Sequence, residues 1–202
     1  YGTTADLQEK FGKERVFDTP AAESALTAMA TGMALDGKRP LLIHQRFDFM
    51  IYSLDQIANW ISLWSYKSGG KSQLPLTIRT IVGKGWGQGP QHSKSLHSWF
   101  SNLPGLSVVF PSSPFEAKGL LLSSIFSNFP TIFFESRSLH SMEEDVPKKP
   151  YFINPTKSFI RKKGKDITLV GFGSTVKNCL EVAKSLEKIK NIKCEVLDLR
   201  SL

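Results

Sequence analysis

Phe17-Asp18-Thr19-Pro20-Ala21-Ala22-Glu23 opens a run rich in Ala, Leu and Met that closes at Asp36-Gly37. Asp18 or Thr19 is a suitable helix cap, and Pro20 suits a first helical turn, where a missing N–H costs nothing. Glycine just past the apolar run is a stop signal, so the stretch predicts a helix over 20–35. One residue is out of keeping with it. Glu23 lies three and four positions before Leu26 and Thr27 and so shares a face with side chains that should be buried. A reciprocal capping box does not account for it, because Glu23 follows Thr19 by four residues, not three. Two readings stand: an acid in the first turn that favours the helix dipole, or a carboxylate turned towards a cofactor.

Working outward, apolar strands alternate with helical periods. Residues 3–15 predict a short polar helix, and Arg15-Val16-Phe17 a short strand feeding the opening motif. Arg39 to His44 and Leu74 to Val82 are expected strands, separated by a helix from Asp48 to about Lys67 that Gly69-Gly70 ends. A helix over His92–Leu103, a strand over Leu106–Phe110, a helix from Ser113 to Ser127 with Glu116 in its first turn, and a strand Thr131–Glu135 follow. This order implies an α/β architecture, a mostly parallel sheet flanked by helices. Residues 1–140 are expected to form that domain and 141–157 a linker. Residues 158–202 hold one βαβ unit, too little for a core of its own, and are read as the start of an incomplete second α/β domain.

Composition narrows the function. The 202 residues are 41% apolar and 22% charged, the profile of an ordinary globular chain. No apolar run reaches the roughly 20 residues of a membrane helix, so no membrane role is expected. Cys179 and Cys194 lack paired spacing, and His44, His92, His97 and His140 show no metal-type repeat. Neither a disulfide framework nor a metal site held by this chain is expected, and a reducing cytosol or organelle matrix is the expected compartment. The net charge of +8 gathers partly at Lys148-Lys149 and Arg161-Lys162-Lys163. No nucleic-acid motif accompanies it, so solvated lysines are favoured over nucleic acid.

Gly83-Lys84-Gly85-Trp86-Gly87-Gln88-Gly89 is neither helix nor strand. Its Gly-Lys pair lacks the following Ser or Thr of a Walker loop, and Gly171-Phe172-Gly173 lacks the third glycine of a dinucleotide fingerprint. Abutting Gln91-His92-Ser93, the glycine stretch reads as a mobile active-site loop.

Taken in order, these stretches resemble the pyrimidine-binding domain of thiamine-diphosphate-dependent, transketolase-like enzymes. The closest likeness is to the beta subunit of the decarboxylating component of 2-oxo acid dehydrogenases. Arg15 to Glu23, Phe47-Asp48-Phe49, Asp55-Gln56-Ile57, Gln91-His92-Ser93, Pro104-Gly105-Leu106 and Asp198-Leu199-Arg200-Ser201-Leu202 carry it. The resemblance implies that Glu23 bonds the aminopyrimidine ring nitrogen of the cofactor from a dry pocket, that Phe49 packs on that ring, and that His92 handles substrate. The Gly-Asp-Gly…Asn-Asn stretch that holds magnesium and the diphosphate is not in this sequence, so a diphosphate-binding alpha-type subunit or domain is the implied partner. Self-association and a lipoyl carrier are also implied, and the chain alone should be inactive.

Gln45 and Arg46 stand where dehydrogenase subunits tend to carry apolar or small residues, and Arg46 suits a carboxylate or phosphate on the substrate. That keeps a transketolase-like or deoxyxylulose-phosphate-synthase-like ketol transfer as the enzymatic alternative, with a non-catalytic partner module as a third reading. The family's potassium pocket would fall around Leu76, Ser124, Ser127 and Phe129, and Phe129 offers it no side-chain oxygen.

Overall fold

A computed structural model describes residues 2–202. Its chain order begins with α1 (Leu7–Phe11), α2 (Glu23–Leu35) and β1 (Leu41–His44). A helical run follows: α3 (Phe47–Met50), a 3-10 turn Ile51–Ser53, a π turn Gln56–Ile61 and α4 (Trp64–Lys67). Next come β2 (Thr77–Val82), α5 (Ser98–Ser101), β3 (Ser107–Val109), α6 (Pro114–Phe126) and β4 (Thr131–Ser136). The last part holds β5 (Phe159–Lys162), β6 (Ile167–Gly171), α7 (Ser174–Lys190) and β7 (Cys194–Asp198).

The first sheet has the order β1-β2-β4-β3, and every neighbour pair is parallel. Strands buried on both faces need helices on both faces, and β2 and β4 are buried along most of their length, their Arg79 and Glu135 paired with each other at 2.8 Å. Phe47, Phe100 and Phe134, all fully buried, pack edge-on or tilted at 5.8–6.0 Å between ring centroids. The π turn rotates the helical run so that both Ile57 and Ile61 reach this core. Because the strands run the same way, residues following β1, β2 and β4 gather along one edge, where open α/β sheets present ligand crevices.

Several elements differ from the sequence expectation, for physical reasons. The opening helix starts at Glu23, with Ala22 as a cap that makes no side-chain bond, so neither Asp18 nor Thr19 caps it and Pro20 lies outside. Arg15-Val16-Phe17 is no strand: the amides of Arg15 and Val16 turn back to the Gly12 carbonyl, and Gln8 holds the Val16 carbonyl. The helix expected over His92–Leu103 shrinks to a 3-10 turn at Pro90–His92 and α5. The cause is the Gly83 amide, which bonds the Lys94 carbonyl and keeps that stretch extended beside the end of β2. The cap of α6 is as expected, the Ser113 hydroxyl accepting from the Glu116 amide.

The second sheet has the order β5-β7-β6, with β5 antiparallel to β7 and β6 parallel to it. Strand β5 is an addition to the expected βαβ unit. The segment between the sheets docks along α6. The Tyr151 hydroxyl donates to the Phe115 carbonyl at 2.7 Å, and the Ile153 amide donates to the Ser123 hydroxyl at 3.0 Å. Gly119 permits this approach, since an added Cβ would come within 2.7 Å of Ile153 and Tyr151.

A buried ionic cluster joins the two sheets. Glu116, fully buried on α6, receives the Arg200 Nε at 2.9 Å and lies 3.4 Å from Arg161 of β5. Its other oxygen accepts from the Ser112 hydroxyl, which also contacts Asp198 at the end of β7. One hydroxyl proton cannot serve two carboxylates, so both Ser112 contacts are satisfied together only when Asp198 carries its own proton. Burial pushes Asp198 up to about 6, with the Glu116 charge adding to it. Burial also works against ionised Glu116, but hydrogen bonds from Asp198, Arg200 and Ser112 hold it below the usual carboxylate range.

Arg39, ahead of β1, closes the far end of α6. It donates to the Ser127 carbonyl at 2.6 Å, the Ile125 carbonyl at 3.3 Å and the Asn128 side chain at 2.5 Å. Cationic donors satisfy helix C-terminal carbonyls left without intrahelical partners. Arg39→Met is expected to lower stability by about 1 kcal/mol, a modest figure because the guanidinium is exposed. Urea unfolding checks it, and an unchanged midpoint would show that the clamp contributes nothing.

Candidate active site

Glu23 occupies the first position of α2, because the chain from Asp18 to Ala22 stays irregular and delivers it there. Its side chain is half-buried, so this chain's residues do not by themselves build the dry pocket expected around the carboxyl group. One turn on, Thr27 is fully buried and donates to the Ser53 hydroxyl at 2.8 Å. His44, the last residue of β1, sets Nε2 3.3 Å from the same Thr27 hydroxyl. Burial lowers the His44 imidazole from 6.5 to about 4, and the nearby Glu23 charge pulls it partly back up. A neutral histidine thus lies beneath the carboxylate at neutral pH. The apolar surroundings of His44 in the sequence hinted at a buried imidazole; nothing there linked it to Thr27 and Ser53.

Phe47-Asp48-Phe49 form the first turn of α3, directly after β1. Phe47 points into the core, while Phe49 stays half-buried at the edge. Across from it, His92 leaves the 3-10 turn at Pro90–His92 and meets the Phe49 ring edge-on, centroids 5.4 Å apart. The His92 Nδ1 is out of solvent and has no hydrogen-bond partner in the structure. Gly83 to Gly89 bridges β2 to His92, with positive φ at Gly83, Gly85, Trp86, Gly87 and Gly89. Glycine tolerates these angles; Trp86 at φ 65° is the exception.

Gln45 is exposed, whereas Arg46 is 4% exposed. The Arg46 Nη2 donates to the carbonyls of Gly83, at 3.4 Å, and His92. Its guanidinium therefore faces the backbone of the glycine loop. Glu23, Phe49, His92 and Gln45 all lie on elements that end or begin at the carboxyl edge of the first sheet. Neither a histidine, cysteine nor carboxylate cluster able to hold a metal ion occurs among the described residues. No helix among them is long and apolar enough to cross a membrane.

A carboxylate at a helix start, an aromatic ring and an imidazole with an unsatisfied buried nitrogen suit a flat heteroaromatic ligand bearing ring nitrogens. The aminopyrimidine of thiamine diphosphate fits that donor set: Glu23 can bond a ring nitrogen and Phe49 can pack on the ring face.

His44 and Asp198 impose opposite pH slopes on stability. Below 6.5 the unfolded imidazole takes a proton that the folded one refuses until about 4, so stability falls as pH drops through that range. Folded Asp198 takes its proton below about 6, the unfolded group only near 3.8, so its contribution grows as pH drops. Between these limits the two oppose each other, and His97, also lowered by burial, adds to the loss on acidification. The stability of His44→Gln relative to the parent should therefore rise on acidification from pH 6.5 to 4.5. Urea midpoints across that range check this, and identical profiles for both proteins would refute the burial of a neutral imidazole.

Comparison with known proteins identifies the family and the fold. Residues 1–142 match the family model "Transketolase, pyrimidine binding domain", and residues 157–202 match "Transketolase, C-terminal domain". The chain is 41% identical over 203 residues to the pyruvate dehydrogenase E1 component subunit beta of Staphylococcus epidermidis, covering 100% of this chain and 62% of the relative. It is also 41% identical over 201 residues to the acetoin:2,6-dichlorophenolindophenol oxidoreductase subunit beta of Bacillus subtilis, of which it covers 58%. The chain thus spans about three fifths of the length of these relatives. Among solved structures, a split-gene transketolase described as an inactive beta4 tetramer superposes with a TM-score of 0.80 at 24% identity, covering 100% of this chain and 62% of that one. A transketolase from Campylobacter jejuni gives 0.70 at 22% identity, over 89% of this chain and 27% of the other.

Proposed function

This chain belongs to the transketolase pyrimidine-binding family of thiamine-diphosphate enzymes, and from that premise we propose that it is a beta-type subunit of a 2-oxo acid dehydrogenase. Together with a diphosphate-binding alpha-type subunit it oxidatively decarboxylates a 2-oxo acid and passes the acyl group to an acceptor. The Phe49–His92 pair and Glu23, on elements that begin or end at the carboxyl edge of the parallel sheet, support this reading.

Each residue has a defined task. Glu23 holds a proton against a ring nitrogen of the cofactor, and Phe49 fixes the ring plane. His92, with Nδ1 buried against Phe49, presents the rest of its ring to substrate, where it exchanges a proton or stabilises charge. When bound, thiamine diphosphate supplies a nucleophilic carbon and an electron sink for the decarboxylation. Gln45, exposed beside this group, is a substrate contact. Magnesium and the diphosphate are held by the partner, and the acceptor is a lipoyl carrier.

The surface supports a partner. Met29 and Met33 on α2 are 63% and 40% exposed, and Tyr52, Trp60 and Tyr66 on the neighbouring helical run are 75%, 51% and 87% exposed. Such apolar exposure beside a half-built site suits a covering subunit that completes the dry pocket around Glu23. Self-association through the same surface is the other expected contact. The chain divides at residues 1–140 and 158–202, joined by a linker that docks along α6. A reducing, non-membrane compartment is the proposed location, consistent with the free thiols of Cys179 and Cys194.

Co-expression with a diphosphate-binding subunit tests the reading. Cofactor-dependent carbon dioxide release from a 2-oxo acid is expected from the complex and from neither subunit alone. Transfer of two-carbon units between sugar phosphates would instead favour the ketol transferase. No turnover and no cofactor binding by a stable complex would leave a non-catalytic module.

A further inference from the structure

Arg46, directly after β1, is a cation only 4% exposed, and it bonds the two ends of the glycine loop at once. Its Nη2 takes the carbonyl of Gly83, where the chain leaves β2, and that of His92, where the loop returns. The backbone closes the same junction through the Gly83 amide and the Lys94 carbonyl at 3.1 Å. Asp48, whose side chain is 4% exposed, lies 3.7 Å from Arg46 Nε and accepts from Lys94 Nζ at 3.2 Å. Lys94 in turn donates to the Gln91 carbonyl at 2.8 Å. Arg46 and Asp48 flank the start of the helix that carries Phe49, and Lys94 and Gln91 flank His92. Both members of the Phe49–His92 pair are thus gripped by one ionic cluster.

We propose that Arg46 is the positioning residue of this site: it pins the base of the glycine loop and fixes His92 against Phe49. This rests on the proposed thiamine-diphosphate-dependent function of the same site. A guanidinium suits the task, because Nη2 alone carries two N–H donors and serves both carbonyls. Buried, it needs a counter-charge, and Asp48 is placed to supply one. A loop end displaced by about 1 Å at the reacting group costs on the order of 100-fold in rate. Arg46 therefore acts on the reaction through His92 and not by touching substrate, which replaces the direct contact with a carboxylate or phosphate expected from sequence.

The test uses Arg46→Met and Arg46→Lys in this chain, with the complex formed with the diphosphate-binding subunit. Arg46→Met should lower kcat by about 10- to 100-fold while thiamine-diphosphate affinity, read by calorimetry, stays within about threefold. Arg46→Lys should recover most of the lost rate, since an ammonium group can also serve both carbonyls. In a His92→Ala background, Arg46→Met should add no further loss, the signature of residues acting through one another. In the uncomplexed chain, tryptic cleavage after Lys84 should quicken about tenfold in Arg46→Met, as the loop base opens. Unchanged kcat and cleavage in Arg46→Met would overturn the proposal, as would losses that multiply in the His92→Ala background. A parent complex that binds no cofactor and turns nothing over would instead count against the function itself.

Discussion

Glu23→Gln should lower turnover of the reconstituted complex by about two or more orders of magnitude, at nearly unchanged protein stability. Removing an interaction that acts only as the cofactor is activated reduces kcat and kcat/KM together. A loss of that size equals about 2.7 kcal/mol or more of transition-state stabilisation. The amide keeps the size of the side chain but cannot hold and return a proton. Stability should scarcely change because Glu23 is half-buried at the helix start and makes no capping bond there. Steady-state kinetics with saturating cofactor checks this, and turnover within a few-fold of the parent would remove Glu23 from the reaction.

The second large effect lies away from the site. Arg200→Met should destabilise the chain by about 3–5 kcal/mol, because it strips fully buried Glu116 of its nearest cation. Arg161, whose Nη1 lies 3.4 Å from the same Glu116 oxygen, remains as the longer of the two contacts and offsets only part of the loss of the Arg200 bond at 2.9 Å. The same guanidinium also stacks on Phe159, 4.7 Å from the ring centroid, so β5 loses a packing partner as well. Adding Glu116→Leu to Arg200→Met should restore much of the loss, since the uncompensated charge goes with the carboxylate. Denaturant unfolding of the single and double variants checks both statements. Additive losses would show that the joint is held by packing and not by the ion pair.

Much of this architecture is legible along the chain because its signals are local. Strands β2 and β4 are compact runs rich in β-branched and aromatic residues, the cap of α6 is a Ser-x-x-Glu pattern, and the helix through Met29 and Met33 ends at glycine. Boundaries set by distant contacts are not legible in that way. The start of α2 depends on how residues 12–22 fold back on themselves, and the shortening around His92 depends on the Gly83–Lys94 bond. Strand β5 escapes notice because Phe159, Ile160, Arg161 and Lys162 alternate poorly and pair only with β7, far along the chain.

The site divides along the same line. Glu23 stood out as an acid in an apolar helix, and Phe49 and His92 gained their meaning from the ordered resemblance. The cluster of Arg46, Asp48 and Lys94 had no such signal. Its members are ordinary surface residues by type, and only the meeting of the two loop ends buries Arg46 and Asp48. His44 is similar: its neutrality follows from tertiary burial against Thr27 and Ser53, which spacing cannot report.

The central claim is that this chain provides the pyrimidine half of a shared thiamine-diphosphate site. Calorimetric titration of thiamine diphosphate with magnesium into this chain, into a diphosphate-binding subunit and into their complex tests it most directly. Saturable binding is predicted for the complex and not for this chain alone, with Phe49→Ala weakening it by about tenfold, a difference of about 1.4 kcal/mol. A complex that binds the cofactor equally well without the Phe49 ring and the Glu23 carboxyl group would contradict it.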